Sequence, residues 1–458
     1  MTTVIRGDIV FTQKPGYFTV LEDGCVVVGD DGRVTEVTRS LDDLTLHGHY
    51  VLGECIPPAG GWTTPPVPPH WEPGPQVVDR RGCLVIPSFV DLHVHAPQYP
   101  MSGLGLDMEL LQWLRSTTFP TESRFADDEV AETWYRRFVR RMWRVGTLRF
   151  SAFATLHVGA TQLLMRLCQE AGLRPVIGKV NMDRNAPEDL RERTSDSLDG
   201  TRLIAETSST ETPDVGYIVT PRFVPSTTPK LMEGLGEIVR HFELPVQSHL
   251  DENRSEVEWV RRLHPDIPTY AEVYDHFGLM PEGRTIMAHC IWLTDSEREL
   301  LRERRVWAAH CPQSNLNLTS GLMPVRRNLD AGLKVCIASD VAAGHDPSMP
   351  RQIVAAIETS KAKTFEAGHE KDRPLTLSEA FYMATKRPGE FFGAIGRGRV
   401  GSFEPGYDFD ALVIREEEDN PLDMSVEGRL ARFIYDGDDR DILERWVAGR
   451  RIPEPFAR

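Results

Sequence analysis

The sequence predicts an α/β protein: a (β/α)8 barrel of the TIM type, with a small β-sandwich domain built from both chain termini. Two observations lead to this prediction. Between residues 86 and 395, short apolar runs alternate with helical stretches, which is typical of βαβ units in a parallel sheet. Residues 1–85 and 396–458 instead contain short alternating strands separated by turn residues. We therefore expect the barrel at 86–395 and the two parts of the small domain at 1–85 and 396–458.

The individual elements follow from periodicity and turn signals. Strands are predicted first in the N-terminal part, then in the barrel and finally in the C-terminal part: Val4–Thr12, Gly24–Gly29, Arg33–Val37, Thr147–Ala154, Arg174–Lys179, Tyr217–Pro221, Val306–His310, Gly401–Ile414 and Trp446–Ile452. Helices are predicted at Ala160–Ala171, Pro229–Phe242, Asn253–Arg262, Asp295–Arg304 and Ser348–Lys363. The Pro- and Gly-rich stretch Ile56–Pro75 is predicted to be an irregular loop.

Ligand-type side chains end four of the apolar runs. His93 and His95 follow the run 84–90 and share one face of a strand, because side chains alternate with period 2. His249, His289 and Asp340 each end a run of their own. In a parallel barrel the carboxyl ends of the strands converge on the active site. The pattern therefore predicts a shared site, and the alternative is five polar groups satisfied within the core.

Three histidines and a carboxylate form a ligand set that suits Zn²⁺ or Fe²⁺ and leaves room for a water molecule. We expect one ion per chain, held by His93, His95, His249 and Asp340. His289 is either a fifth ligand or a hydrogen-bond partner of that water. Glu252, three residues after His249, is placed to shuttle protons, although an acidic residue is also common where a helix begins.

Two further side chains at strand ends are candidates for substrate recognition. Gln98 follows His95, and Arg222 ends the run 217–221, so their amide and guanidinium suit a planar, amide-containing heterocycle. Trp113, Phe119 and Phe223 are candidates for stacking on such a ring. The segment 101–119 is a candidate lid over the site, because it directly follows the strand that carries His93 and His95.

Composition limits the partners. The net charge of −16 argues against nucleic acid, and no stretch approaches the length of a membrane span. The seven cysteines are scattered and lack CxxC spacing, which favours reduced thiols. Because the N-terminus lacks a signal sequence, a cytoplasmic location is expected.

Several segments carry a resemblance to a known family. They are Pro87–Tyr99, Thr118–Glu122, Gly178–Asp183, Thr220–Phe223, Ser248–Asn253, Met287–Cys290, His310–Leu316 and Ser339–Gly344. The chain resembles the amidohydrolase superfamily and, within it, the guanine deaminases. The histidine pair is typical of the whole superfamily, whereas the HAPQ, TFPTE and TPRF segments narrow the resemblance to guanine deaminases.

The resemblance implies zinc-dependent hydrolytic deamination of guanine to xanthine and ammonia, by attack of metal-bound hydroxide on C2, in purine catabolism or salvage. It implies catalytic roles for Glu252, Asp340 and His289, and a metal site of His93, His95, His249 and Asp340. The implied substrate-binding residues are Gln98, Arg222, Phe223, His95, His249, Glu252 and Asp340. It also implies a purine as the small-molecule partner and a homodimer.

One departure keeps the substrate open. The residues after Asp340 include His345 and Asp346 where small or hydroxyl residues are expected. The alternatives are the same chemistry on another heterocycle, such as 8-oxoguanine or a pterin, or a non-catalytic scaffold that kept the fold.

Overall fold

The computed structural model describes residues 2–41, 76–367, 373–415 and 423–457, so the predicted loop Ile56–Pro75 lies outside the described residues. Its strands, in chain order, are β1 Thr3–Lys14, β2 Tyr17–Val28, β3 Val34–Thr38, β4 Gln76–Pro87, β5 Phe89–His95, β6 Thr147–Phe153, β7 Val176–Gly178, β8 Val180–Asn181, β9 Gly216–Tyr217, β10 Thr220–Pro221, β11 Val246–Leu250, β12 Thr285–His289, β13 Trp307–His310, β14 Lys334–Ile337, β15 Ala411–Ile414, β16 Ile442–Val447 and β17 Arg450–Arg451.

Helices alternate with these strands through the middle of the chain. The longer ones are Asp128–Arg144, Val158–Glu170, Thr194–Glu211, Pro229–Phe242, Arg254–Leu263, Asp295–Glu303, Met349–Ala367, Lys386–Ala394 and Val426–Asp436. Shorter ones are Leu110–Trp113, Phe119–Glu122, Tyr270–His276, Pro312–Asn317, Val325–Asp330 and Leu377–Ala384. Among the described residues no helix is long and apolar enough to cross a membrane. The predicted α/β composition is confirmed.

Two four-stranded parallel sheets position the site. Their strand orders are β5-β6-β7-β9 and β11-β12-β13-β14, and β8 and β10 form a short parallel pair. Backbone hydrogen bonds join the two sheets at both edges. At one edge Val219 N donates to Pro245 O (2.9 Å), and at the other Asp340 N donates to His93 O (2.9 Å). The second contact brings the predicted ligands of β5 and β14 together.

Both ends of the chain contribute to a seven-stranded sheet of order β17-β16-β15-β4-β1-β2-β3. Two predicted strands of the C-terminal part are wrong in extent. Gly401–Ile414 is a strand only over β15, because Gly401 and Gly406 adopt φ of +83° and +86° and turn the chain before it. Trp446–Ile452 is divided between β16 and β17 by a tight turn at Ala448 and Gly449, with φ of +46° and +74°.

A buried guanidinium joins this sheet region to the parallel strands. Arg149 on β6 is fully buried, and its Nε donates to Asp410 Oδ2 (2.7 Å) while Nη2 donates to Asp408 Oδ2 (2.8 Å). Its Nη1 also donates to Arg397 O (2.6 Å). A buried charge without a partner is strongly unfavourable. The buried guanidinium of Arg149 therefore requires the hydrogen-bond acceptors that the segment 397–410 supplies.

Glu379 offers a test of electrostatic stabilisation away from the site. Burial by itself raises the pKa of Glu379, but hydrogen bonds from Arg373 and Arg326 lower it to about 2 from an ordinary value of 4.5. The carboxylate therefore stabilises the folded state above pH 4.5, and this contribution is lost as the pH falls towards 2. We expect Glu379→Gln to lower the free energy of unfolding by about 2 kcal/mol at neutral pH, and by progressively less below the unfolded-state pKa.

Urea unfolding of the wild type and Glu379→Gln across this pH range measures the effect. Glu233→Gln is the control, because Glu233 is exposed on the helix Pro229–Phe242. A stability difference that does not shrink on acidification would contradict the prediction.

Candidate active site

Four predicted metal ligands meet at the carboxyl ends of the parallel strands. One nitrogen or oxygen from each of His93, His95, His249 and Asp340 lies within 4.8 Å of the others. His93 Nε2 and His95 Nε2 lie 3.1 and 3.4 Å from Asp340 Oδ1, and His95 Nε2 lies 3.2 Å from His249 Nε2. The alternation along β5 that the sequence predicts therefore directs both of its histidines into one site.

The hydrogen bonding of these histidines fits a metal. His93 is completely buried, and among the described residues its Nδ1 has no hydrogen-bond partner while its Nε2 lies 3.1 Å from Asp340 Oδ1 without hydrogen-bond geometry. Such groups are unfavourable unless a ligand satisfies them. His249 Nδ1 lies 2.6 Å from Arg222 O, which makes Nδ1 the protonated nitrogen and leaves Nε2 free to coordinate. The donor set of three imidazoles and one carboxylate fits a divalent ion such as Zn²⁺ or Fe²⁺.

The charge states also suit coordination. Burial lowers the pKa of His95 to about 4 and places the pKa of His249 well below its ordinary value, so both imidazoles are neutral at physiological pH. Burial by itself raises the pKa of Asp340, but the adjacent His93 and His95 hold it well below the usual range. Neutral imidazoles and an ionised carboxylate are the forms that bind metals.

The backbone at the site is held in an uncommon conformation. His289 and Asp340 adopt positive φ of +73° and +50°, in the left-handed region that non-glycine residues rarely occupy. Asp91 braces the two strand ends: its Oδ1 accepts from His93 N (3.0 Å) and from Ser339 N (3.2 Å), and its Oδ2 accepts from the Ser339 hydroxyl. These bonds fix the spacing between β5 and the residue before Asp340.

Glu252 and His289 form a second group beside the ligands. Burial and the nearby Asp340 raise the pKa of Glu252 well above its ordinary value and so favour the protonated carboxyl. His289 Nε2 lies 3.4 Å from Glu252 Oε2 and 3.8 Å from Asp340 Oδ2, and the Ser320 hydroxyl donates to Glu252 Oε1 (3.2 Å). A protonated carboxyl beside a carboxylate can donate and accept protons in turn.

His289 is close enough to be a ligand in a different combination. One atom from each of His93, His289, Cys311 and Asp340 also lies within 4.8 Å of the others. His289 Nδ1 lies 2.9 Å from Asn315 Oδ1, which makes Nδ1 the protonated nitrogen and directs Nε2 towards the cluster. Burial raises the pKa of the Cys311 thiol well above its ordinary value.

A cavity opens onto these groups. Its polar wall contains Gln98 and Arg222 together with His95, His249, His289, Glu252 and Asp340. Its apolar wall is formed by six side chains: Leu110, Trp113, Leu114, Phe223, Leu318 and Ala343. The arrangement places Gln98 and Arg222 on the same cavity as an apolar wall that contains Trp113 and Phe223.

Only some of the aromatic residues predicted to stack on a ring line the cavity. Trp113 and Phe223 line the cavity, whereas Phe119 packs beneath Arg222, with the guanidinium carbon 5.2 Å from the ring centroid. The segment 101–119 contributes part of the apolar wall.

The two residues that left the substrate open do not line this cavity. His345 is exposed and its Nδ1 lies 3.1 Å from Asn317 Nδ2, while Asp346 lies 3.6 Å from Arg141. Their side chains are engaged outside the cavity with Asn317 and Arg141.

Several residues of the site were not assigned roles from the sequence. Glu122, Asn315 and Ser320 contact Gln98, His289 and Glu252, respectively. Glu122 and Asn315 stand inside segments that carry the resemblance, but nothing in their local spacing indicates which distant side chain they touch. Ser320 has no local signal.

The chain belongs to the amidohydrolase family, because the model of that family matches residues 84–452. Within that family it is similar to guanine deaminases along its full length. It is 36% identical to guanine deaminase of Dictyostelium discoideum over 98% of each chain, and 39% identical to that of Mus musculus over 100% of this chain and 98% of the relative. The crystal structure of guanine deaminase from C. acetobutylicum with bound guanine in the active site has a TM-score of 0.88 and 41% identity, and covers 99% of this chain and 100% of that one.

Proposed function

We propose that this protein catalyses the hydrolytic deamination of guanine to xanthine and ammonia. One observation carries the proposal: Gln98, Arg222 and Glu252 face a single cavity together with His95, His249 and Asp340, three of the four side chains proposed as metal ligands. The likeness to guanine deaminases along the full chain, including one solved with guanine bound, supports this choice of substrate.

The proposed cofactor is one Zn²⁺ per chain, held by His93, His95, His249 and Asp340, with Fe²⁺ as the alternative. When bound, such an ion lowers the pKa of a coordinated water and so supplies a nucleophile at neutral pH. The buried, neutral histidines and the ionised Asp340 are in the states that this role requires.

The protein's own residues then move protons and orient the ring. Gln98 and Arg222 hold the purine edge, and Phe223 lies beside the ring, so that C2 faces the ligand cluster. Asp340 accepts a proton from the attacking water. Glu252, whose pKa is raised by burial, donates a proton to a ring nitrogen, and His289 orients the water through Nε2. As the tetrahedral carbon collapses, Asp340 passes its proton to the amino nitrogen and Glu252 takes the proton of the C2 hydroxyl. The C2–N bond then breaks, which releases ammonia, leaves the C2 carbonyl of xanthine and returns both carboxyl groups to their starting states.

The finer architecture is also proposed. The hydrogen bonds at both edges support a closed (β/α)8 barrel over residues 86–395. The terminal sheet encloses a separate apolar cluster that includes Ile5, Phe11 and Phe409, which supports a small sandwich domain built from 1–85 and 396–458. We further propose a homodimer located in the cytoplasm, by analogy with the family.

Ammonia release from a panel of heterocycles tests the function. We expect purified, zinc-loaded protein to turn over guanine with a kcat/KM at least about 100-fold above that for adenine and cytosine, because a site that hydrogen-bonds its substrate strongly disfavours rings lacking those groups. 8-Oxoguanine and isoxanthopterin share the amino-oxo edge of guanine but differ elsewhere in the ring system, and we expect guanine to be turned over faster than either. Turnover of another ring with guanine inert would overturn the substrate. Absence of turnover across the panel by metal-loaded protein would favour a non-catalytic scaffold.

A further inference from the structure

A buried carboxylate stands behind the two substrate-reading side chains. Glu122 ends the short helix Phe119–Glu122, and its side chain is 3% exposed. Its Oε1 accepts a hydrogen bond from Gln98 Nε2 (2.8 Å), and its Oε2 accepts one from Arg222 Nη1. Glu122 itself is absent from the cavity wall, so it acts on a bound molecule only through these two partners.

The contacts around Gln98 fix the direction of its amide. Because Nε2 donates to Glu122 and Oε1 accepts from Ala342 N (3.2 Å), flipping the amide would place like groups against each other at both ends. The Arg222 guanidinium is similarly held between Glu122 and the face of Phe119. One carboxylate thus sets the relative orientation of both groups that face the purine edge.

Glu122 also balances a buried charge. Arg222 is charged at all physiological pH values, its side chain is 3% exposed, and Glu122 is its ion-pair partner among the described residues. Without that partner, the guanidinium would be unpaired beside the cavity and would attract anions. Guanine is neutral near physiological pH, whereas xanthine loses a proton far more readily.

We propose that Glu122 is a positioning residue that also determines specificity: it orients Gln98 and Arg222 and neutralises Arg222, so that the cavity prefers the neutral purine to the anionic product. This inference rests on the function proposed above. Glu122 touches neither substrate nor metal in this proposal. Because it neutralises Arg222, we expect the anionic product xanthine to be released easily.

The test compares Glu122→Gln with Glu122→Asp. Glutamine offers one oxygen and one NH2 group, so it can accept from only one of the two donors and carries no charge. We expect Glu122→Gln to raise the KM for guanine about tenfold to a hundredfold with a smaller change in kcat, since charge-assisted hydrogen bonds are lost. At a mildly alkaline pH, where xanthine is anionic, we expect the ratio of the xanthine inhibition constant to the guanine KM to fall at least about tenfold.

Glu122→Asp keeps both oxygens and the charge, so its ratio should stay close to that of the wild type even if its KM rises. Thr121→Ala is the neighbouring control, because the Thr121 hydroxyl donates to the backbone oxygen of Thr117, four residues earlier, and not to Gln98 or Arg222. A purely structural role would lower the folded fraction and kcat in both Glu122 variants while leaving the ratio unchanged, and that result would overturn the proposal. If Glu122→Gln does not fold, a fall in this ratio for Glu122→Asp would also overturn it.

The wild-type assay separates this inference from the proposed function. If wild-type protein does not turn over guanine, the proposed function fails. Equilibrium binding of guanine and of xanthine to the zinc-loaded wild type and Glu122→Gln then decides on Glu122. A shift in preference towards xanthine in the variant supports the charge-balancing role, and equal changes for both purines overturn it.

Discussion

Glu122 aside, replacing Glu252 by glutamine is expected to lower kcat for guanine roughly 10³-fold while zinc remains bound, because general acid–base catalysis typically contributes factors of this size. Glutamine keeps the shape of the side chain and can still accept from the Ser320 hydroxyl, but it cannot give up a proton to the ring. Its amide also leaves His289 Nε2 without the carboxylate that lies 3.4 Å away. Steady-state kinetics and metal analysis on the same preparation measure both quantities.

Glu258→Gln is the matched control, because Glu258 is an exposed residue on the helix that follows Glu252. We expect it to retain wild-type kinetics. If Glu252→Gln keeps more than about a tenth of the wild-type kcat, Glu252 is not the proton donor, since removal of a general acid has a larger effect. Loss of zinc from Glu252→Gln would instead identify it as part of the metal site.

The second large effect is expected from the metal site. Replacing Asp340 by alanine removes both a ligand and the acceptor of the water proton, and we expect turnover to fall by about 10³-fold or more with a clear loss of bound zinc. Treating the wild-type protein with a chelator should abolish activity, and adding Zn²⁺ should restore it. Atomic emission measures the zinc content of Asp340→Ala, and that of the wild-type protein before and after chelator treatment.

Asp346→Ala serves as the comparison, because Asp346 lies on the same loop but faces Arg141 on the protein surface. It should keep its zinc and its activity. Full turnover by metal-free wild-type protein would show that the cluster of three histidines and Asp340 does not carry the reaction. Restoration by Fe²⁺ and not by Zn²⁺ would revise the identity of the ion.

The main parts of the site could be predicted from the sequence because they depend on local rules. Strand periodicity directs His93 and His95 to one face, and the ends of parallel strands converge, so the sequence alone groups His249, His289 and Asp340 with them. In the structure, the side chains of His93, His95, His249 and Asp340 meet as one cluster.

The supporting contacts could not be predicted in this way. Glu122 and Arg222 are 100 residues apart and meet only because the short helix Phe119–Glu122 lies against the end of β10. No periodicity encodes a contact between a loop helix and a distant strand end. The strand predicted at 401–414 is too long for a different reason: Gly401 and the Pro405-Gly406 pair turn the chain before β15, and this local turn signal outweighs the strand pattern.

The seven-stranded sheet has a consequence for how the chain is made. Its interior strand β4 pairs with β15, so Pro87 lies opposite Ala411, and β16 and β17 complete that side of the sheet. During synthesis on the ribosome, β1 to β4 emerge early but wait for almost the whole chain before their last neighbour is available. Until then β4 presents an open hydrogen-bonding edge, the kind of surface that chaperones shield during translation. Truncation before residue 411 would leave that edge permanently exposed, and such fragments are expected to aggregate even though the residues of the catalytic centre are all present in them.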